Sequence, residues 1–329
     1  MRAAWYERNG AASDVLAVGE RPDPEPGAGE VRVRVAAAGI NPADVKRRSG
    51  AGGRTMGDPL VIPGDDGAGV IDRVGPGVPA GRAGERVWVH SANHGQPFGT
   101  AAEFVVVPAG RAIPLPPDCS FEEGACLGVP ALTAHRSVFA DGPVRGKIVL
   151  VTGGAGAVSQ YAIQLAVHGG ANVIATASTS GKQRAAADAG ASHVIDYRQP
   201  RVAQDILRHA PGGVDRVVEV GFGVNLPLTS AVIAPNGVIA TYGSDAVPVP
   251  EFPFYPLMRK GVTVRTVSVF IMPPDAMRAA VSEIGALLAQ GALTHRIAVQ
   301  YPLGAIAAAH QYVESGLGIG KTVLTIQAL

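Results

Sequence analysis

Residues 148–167 restrict the fold more than any other stretch. An apolar tetrapeptide, Ile148-Val149-Leu150-Val151, runs straight into Thr152-Gly153-Gly154-Ala155-Gly156-Ala157-Val158-Ser159, and that into Gln160-Tyr161-Ala162-Ile163-Gln164-Leu165-Ala166-Val167. Consecutive apolar residues of this kind fit a strand buried on both faces, which calls for helices above and below the sheet. The small residues that follow suit a bend that must come close to a phosphate. A Cβ there would hold the phosphate off, whereas the open N–H groups and dipole of a helix start attract it. Gly153, Gly154, Ala155, Gly156, Ala157 and Val158 are the predicted cradle for a dinucleotide pyrophosphate, with Ser159 where such turns usually carry a third glycine. A glycine-rich turn that binds nothing is the plainer alternative, and the strand before and helix after weigh against it.

The same alternation continues from Lys147 to about Val269. Apolar runs at 172–176, 193–195, 214–220 and 237–241 are separated by segments of helical length. That pattern predicts a doubly wound parallel sheet, an α/β architecture. The first 120 residues read differently. Val31-Arg32-Val33-Arg34-Val35 alternates with period two, as a strand with one solvated face does, and runs at 69–75, 86–89 and 104–108 lie between Gly and Pro punctuation. Short strands of this kind suggest a partly open barrel. After Asp275 come an amphipathic helix, a strand at 297–299, a helix from Leu303 to about Val313 and a strand at 323–326. The expected division is 1–123 with 267–329 as one domain and 124–266 as the other.

Composition narrows the function classes. The 329 residues carry 28 Lys and Arg against 27 Asp and Glu, a formal charge of +1. No bulk field favours nucleic acid or anionic lipid, so neither is an expected partner. Two cysteines cannot supply a disulfide framework or a four-cysteine zinc site. No apolar run reaches the ~18 residues of a membrane span, and the first residues lack a signal-peptide core. A cytoplasmic protein is expected.

The end of the second strand of the sheet bears on the cofactor. A site for NAD places Asp or Glu there to bond the adenosine 2′-hydroxyl. This chain has Ser178-Thr179-Ser180-Gly181-Lys182-Gln183-Arg184 and no acid before Asp188. Ser178, Lys182 and Arg184 fit a 2′-phosphate, which accepts hydrogen bonds and attracts cations. NADPH is the predicted cofactor. A solvated first helical turn explains the same two cations.

These motifs, taken with others, resemble the zinc-independent medium-chain dehydrogenase/reductase superfamily, in its quinone oxidoreductase (zeta-crystallin-like) family. The matching stretches include Ala38-Gly39-Ile40-Asn41-Pro42-Ala43-Asp44-Val45-Lys46, Ile62-Pro63-Gly64-Asp65-Asp66-Gly67-Ala68-Gly69, Gly84-Glu85-Arg86-Val87, Gly99-Thr100-Ala101-Ala102-Glu103-Phe104 and Val129-Pro130-Ala131-Leu132-Thr133-Ala134. The resemblance implies a GroES-like barrel domain that binds substrate and a Rossmann domain. Positions matching the catalytic Cys, His and Cys of zinc-dependent relatives are Asn41, Asp65 and Val129, which implies that no metal is bound. Without a Lewis acid, reduction of an electrophilic acceptor is the remaining chemistry.

The expected reaction is NADPH-dependent reduction of a quinone. Reduction of an enone or 2-alkenal is the alternative, and a cofactor-binding protein without turnover a second alternative. Asn41 and Thr133 resemble residues that hold the nicotinamide and acceptor. Lys46 is a candidate to stabilise the developing oxyanion or to donate the proton. Asp44, two residues earlier, is a candidate to orient Lys46 or a water, with a local cap bond as its plainer role. A solvated basic helix face would equally explain Lys46-Arg47-Arg48. Tyr197 and Asn225 resemble residues contacting the adenine–ribose and nicotinamide ribose. Tyr242-Gly243-Ser244 ends the fifth strand, where the crevice of such a sheet opens, and Val267-Ser268-Val269 resembles the edge that bonds the carboxamide. A homodimer is expected through sheet edges near 262–269. His90 and His94 have a spacing that suits zinc on a helix, but the residues between them favour a loop. Phe252, Phe254 and Tyr255 are read as walls of an apolar pocket, as core or as subunit packing.

Overall fold

The computed structural model describes residues 1–329. Two compact units result, Met1–Val129 with Glu283–Leu329, and Pro130–Ser282.

The second unit is built on six strands, all parallel, in the order His193–Ile195, Asn172–Thr176, Ile148–Val151, Val214–Glu219, Ile233–Thr241, Thr263–Thr266. Strand order reverses between Ile148–Val151 and Val214–Glu219, which makes their C-terminal ends the switch point of the sheet. Leu150, Ile174, Val217 and Ile239 are almost wholly buried and form the layer that joins the strands to their helices. One strand residue breaks the apolar pattern. Arg216 is 1% exposed, and its guanidinium donates to the carbonyls of Val138, Asp141 (2.9 Å) and Gly142 (3.1 Å). It therefore satisfies carbonyls that helix Gly128–Phe139 leaves open at its C-terminal end.

The first unit carries a seven-stranded sheet, in the order Ile297–Pro302, Lys321–Thr325, Glu30–Ile40, Asp66–Val74, Arg86–Val89, Ala112–Pro114, with Phe104–Pro108 also paired to Glu30–Ile40. The eleven-residue strand Glu30–Ile40 thus borders three others along its length. Its alternation suggested one wet face, and on that face Arg34 is exposed while Arg32 is buried. Arg32 is 3% exposed because its guanidinium meets both oxygens of Asp72, at 2.9 and 2.6 Å, and lies over the Phe104 ring. A paired, stacked arginine can occupy an interior position that a bare charge cannot.

Two elements begin elsewhere than their pattern suggests. The helix after the glycine bend starts at Ala157 rather than Gln160. The C-terminal helix is Ile306–Glu314, preceded by a 3₁₀ turn at Leu303–Ala305. The aromatic segment read as core is exposed instead, at 47% for Phe252, 58% for Phe254 and 65% for Tyr255.

Candidate functional site

The glycine bend has the geometry an anion needs. Gly153 has φ +60°, and a Cβ there would come 2.9 Å from Val220. A Cβ on Gly154 would come within 3.0 Å of the Ala175 and Ala186 side chains, so strand, bend and next helix close up only around a glycine. The amides of both glycines turn back onto Thr176, Gly154 N–H to its carbonyl (2.8 Å) and Gly153 N–H to its hydroxyl (3.3 Å). These glycines shape the bend rather than donate from it. Helix Ala157–His168 opens at Gly156 with no side-chain cap, which leaves the Ala157 and Val158 N–H groups without an intrahelical partner.

Three side chains hold this bend, a role the sequence assigned to none of them. Buried Gln160 donates to the carbonyls of Gly154 (2.6 Å) and Ala185 (3.0 Å). Thr152 accepts from Val220 N–H at 3.0 Å. Ser159, in the third-glycine position, donates to Thr152 carbonyl (2.9 Å) and bonds the Tyr242 hydroxyl (3.2 Å). A hydroxyl there does what a third glycine cannot, tying the helix start to the fifth strand.

Ser178, Tyr197, Asn225, Tyr242, Gly243, Ser244, Val267, Ser268 and Val269 all lie just beyond C-terminal ends of the parallel strands, the edge that holds the glycine bend. Ser178 is buried, whereas Tyr197 is 49% exposed. Thr179 caps helix Ser180–Asp188 by accepting from Lys182 N–H. Lys182 is therefore in the first turn, and Arg184, exposed, stands two residues or ~200° round the helix from it. The two cations do not share a face. Ser244 fastens a turn, accepting from Gly223 N–H (3.0 Å) and donating to Val247 carbonyl (2.6 Å). Gly243 lies against Val220, whose carbonyl a Cβ would approach to 2.6 Å, and Val267 N–H bonds Thr241 carbonyl at 2.7 Å. Thr133 is on helix Gly128–Phe139; it is 5% exposed, and its carbonyl accepts from Ser137.

Asn225 has a partner that the sequence reading passed over. Glu219, 0% exposed at the end of its strand, accepts from Gly221 N–H (2.5 Å) and Asn225 Nδ2 (2.8 Å) through Oε1, while Oε2 is buried with no partner. Burial raises the pKa of this carboxyl. With its NH₂ given to Glu219, Asn225 has its carbonyl oxygen left for another donor.

In the first unit, Asn41 and Asp44 are brought together at the start of helix Pro42–Ser49. Pro42 suits the first helical position, and Asp44 Oδ2 accepts from Asn41 N–H at 2.8 Å. The Asn41 side chain is pinned at both ends. Its Nδ2 donates to Asp66 Oδ2 (2.8 Å), and its Oδ1 accepts from Lys321 Nζ (2.5 Å). Lys321 also donates to Asp66 (2.8 Å), whose other oxygen accepts from Val129 N–H (2.7 Å). Asp66 and Lys321 are 0% and 3% exposed. A Cβ on Gly128 would come 2.0 Å from Asp66 Oδ1, so that glycine makes room for the carboxylate.

A second carboxylate centre adjoins this one in sequence. Arg47 donates to Asp65 (3.2 Å) and to Asn93, and stands 3.9 Å from Asp44. Burial, and then the charge of Asp44, pushes Asp65 up to about 7; burial likewise raises Asp44. One oxygen of each is buried without a partner. Asp44 thus reaches Asn41 and Arg47, while Lys46 is ~200° round the helix from it. The pairing of Asp44 with Lys46 anticipated from sequence is not one that a helix favours.

The residues present do not suit zinc. At the three positions matched to metal ligands, Asn41 is bonded to Asp66 and Lys321, Asp65 to Arg47, and Val129 is apolar. Burial pushes the Cys119 and Cys126 thiols up to about 12, away from the thiolate a metal takes. No group of three or more His, Cys, Asp or Glu is placed to hold a metal. His90 sits in a loop, buried and pushed down to about 4, bonded to Ser91. The glycine bend, by contrast, fits a dinucleotide: Gly153 and Gly154 let it pack tightly against its neighbours, and its helix start offers open N–H groups.

Comparison with known proteins agrees with this geometry. Residues 27–117 match the alcohol dehydrogenase GroES-like domain, and residues 157–286 match the zinc-binding dehydrogenase family. The human protein quinone oxidoreductase is 30% identical over 302 residues, covering 90% of this chain and 89% of that one. A crystal structure of an NAD-dependent alcohol dehydrogenase superposes with a TM-score of 0.89 at 30% identity, covering 99% of this chain and all of that one. Escherichia coli quinone oxidoreductase complexed with NADPH gives 0.87 at 26% identity, over 99% and 100% of the two chains. No helix is long and apolar enough to cross a membrane.

Proposed function

Since the chain belongs to the medium-chain dehydrogenase/reductase superfamily, in its quinone oxidoreductase family, and is an oxidoreductase, we propose that it reduces quinones at the expense of NADPH, without zinc. The observation that carries the reading is the glycine bend opening onto uncapped Ala157 and Val158 amides, with Ser178 and Lys182 and no acid at the end of the next strand. Bound NADPH supplies a hydride. Ala157 and Val158 N–H groups hold the pyrophosphate, and Lys182, with Ser178, takes the 2′-phosphate. Asn225, with its carbonyl left free by Glu219, accepts from a ribose hydroxyl.

Asn41 and Thr133 orient the nicotinamide and the acceptor. An amide has two donors and two acceptor sites, and the bonds to Asp66 and Lys321 use one of each, so Asn41 keeps one donor. Lys46 places an ammonium where negative charge develops on the acceptor oxygen and supplies the proton. Lysine at this place also favours a second reading, an enone or 2-alkenal reductase. We place the homodimer contact along edge strand Thr263–Thr266.

NADPH oxidation measured in parallel with 1,4-benzoquinone, 9,10-phenanthrenequinone, 2-alkenals and 3-buten-2-one separates these readings. Turnover with the quinones alone supports the first, and turnover with the unsaturated carbonyls alone replaces it with the second. Saturable NADPH binding without oxidation of any kind overturns both. Replacing Lys46 by Ala is expected to lower kcat roughly 100-fold with little change in NADPH affinity; an unchanged kcat removes Lys46 from the chemistry.

A further inference from the structure

A groove of about 580 Å³ opens in the first unit, within the ~300–1,000 Å³ usual for small-molecule sites. Asn41, Asp44, Lys46 and Asp65 do not line it. Its walls are flat and apolar, made by the rings of Pro24, Pro59 and Pro97, the side chains of Leu60 and Val106, and the half-exposed ring of Phe98.

Two acceptors stand at its margin. Gln96 Nε2 donates to Ala92 carbonyl (2.7 Å) and Val106 carbonyl (2.9 Å), so its two hydrogens are used and its side-chain oxygen remains as an acceptor. Asp58, exposed, is a second acceptor. The Met1 ammonium donates to Asp23 and to Arg21 carbonyl, and the Arg21 guanidinium lies 3.9 Å over the Trp5 ring and reaches Glu7, while its buried Nε has no hydrogen-bond partner. An anionic ligand would meet the carboxylates of Asp23 and Asp58 at the margin.

We propose that this groove is a second small-molecule site, which takes a flat, uncharged aromatic compound carrying an N–H or O–H donor. Aromatic and proline rings supply stacking faces, and Gln96 and Asp58 receive the donor. The site also adjoins the carboxylate centre through the chain. Ile62 in one wall is three residues from Asp65, and Gln96 in another is three from Asn93, whose Nδ2 donates to Gln96 carbonyl at 3.0 Å. An occupant therefore bears on both segments that supply partners to Arg47.

The test uses N-phenyl-1-naphthylamine, an uncharged arylamine whose fluorescence rises in apolar surroundings, and 1-anilinonaphthalene-8-sulfonate as its anionic counterpart. The full-length protein should bind the uncharged probe saturably at one site, with or without saturating NADPH. The sulfonate should bind at least tenfold more weakly. Phe98→Ala and Val106→Trp should each weaken the uncharged probe about tenfold while leaving the thermal melt cooperative. Should Val106→Trp fail to fold, Phe98→Ala, at a half-exposed position, decides alone. Absence of saturable binding overturns the proposal, as does equal affinity for the sulfonate, an unchanged affinity in Phe98→Ala, or displacement of the probe by NADPH. Failure to bind NADPH leaves every one of these readings intact and counts only against the proposed reaction.

Discussion

The glycine bend at 152–159 and the charge cluster around Asn41 use opposite means to make a polar site inside an apolar protein. At the bend, side chains only brace the turn, and the backbone itself presents donors where Gly153 and Gly154 let it pack close. Around Asn41, backbone plays a small part. Asp44, Asp65, Asp66, Arg47 and Lys321 are gathered from three segments, three carboxylates set against two cations in the interior. A backbone site is contiguous in sequence and tolerant of what surrounds it. A side-chain site is scattered and depends on every member, because removing one partner leaves a buried charge uncompensated.

That contrast sets the order of expected effects. Lys321→Met should be the most damaging, leaving Asp66 buried without its ammonium and costing about 3–5 kcal/mol by urea denaturation. A loss below 1 kcal/mol would mean that the cluster tolerates an unmatched carboxylate after all. Gly154→Val should cost less stability, about 1–3 kcal/mol for overpacking against Ala175 and Ala186, yet weaken NADPH at least tenfold in a fluorescence titration. Unimpaired binding would show that the bend is not a phosphate cradle.

Next in size is the choice between nucleotides. Lys182→Ala should narrow the preference for NADPH over NADH about tenfold, and Arg184→Ala, on the other side of its helix, should narrow it far less. Equal effects would contradict the separation of the two faces. The smallest effect is a slope. Asp65 holds its proton more tightly folded than unfolded, so its contribution is full below about pH 4 and is lost as pH rises through about 7. Between those limits wild type should lose stability relative to Asp65→Asn by about 1 kcal/mol per pH unit, the ceiling for one proton being about 1.4. Parallel pH profiles of the two proteins would place the extra proton elsewhere.

The same contrast governs what could be read from sequence. The parallel strands were legible because a strand covered on both faces must be apolar throughout; Ile148–Val151, Asn172–Thr176 and His193–Ile195 lie where their apolar runs do. The bend was legible for its crowded small residues. Its supports were not, since nothing marks Gln160 as reaching back to Gly154, or Tyr242 as meeting Ser159. Asn41 and Asp44 stood out only through resemblance, and their partner Lys321 is 280 residues from Asn41. Arg32 misled for a related reason, because its pattern implied water while Asp72, 40 residues on, was waiting as its counter-ion.

Lys321 has a consequence for how the chain is made. Asp66 and Asn41 leave the ribosome some 255 and 280 residues ahead of the ammonium that both bind, and strand Glu30–Ile40 must wait equally long for Lys321–Thr325 to pair with it. The interior of the amino-terminal half cannot close before Lys321–Thr325 emerges, whereas the intervening unit has every strand of its sheet in hand once Thr266 is out. Nascent chains should therefore carry a finished nucleotide-fold module and an open, hydrated half-barrel that snaps shut only once Lys321–Thr325 has emerged.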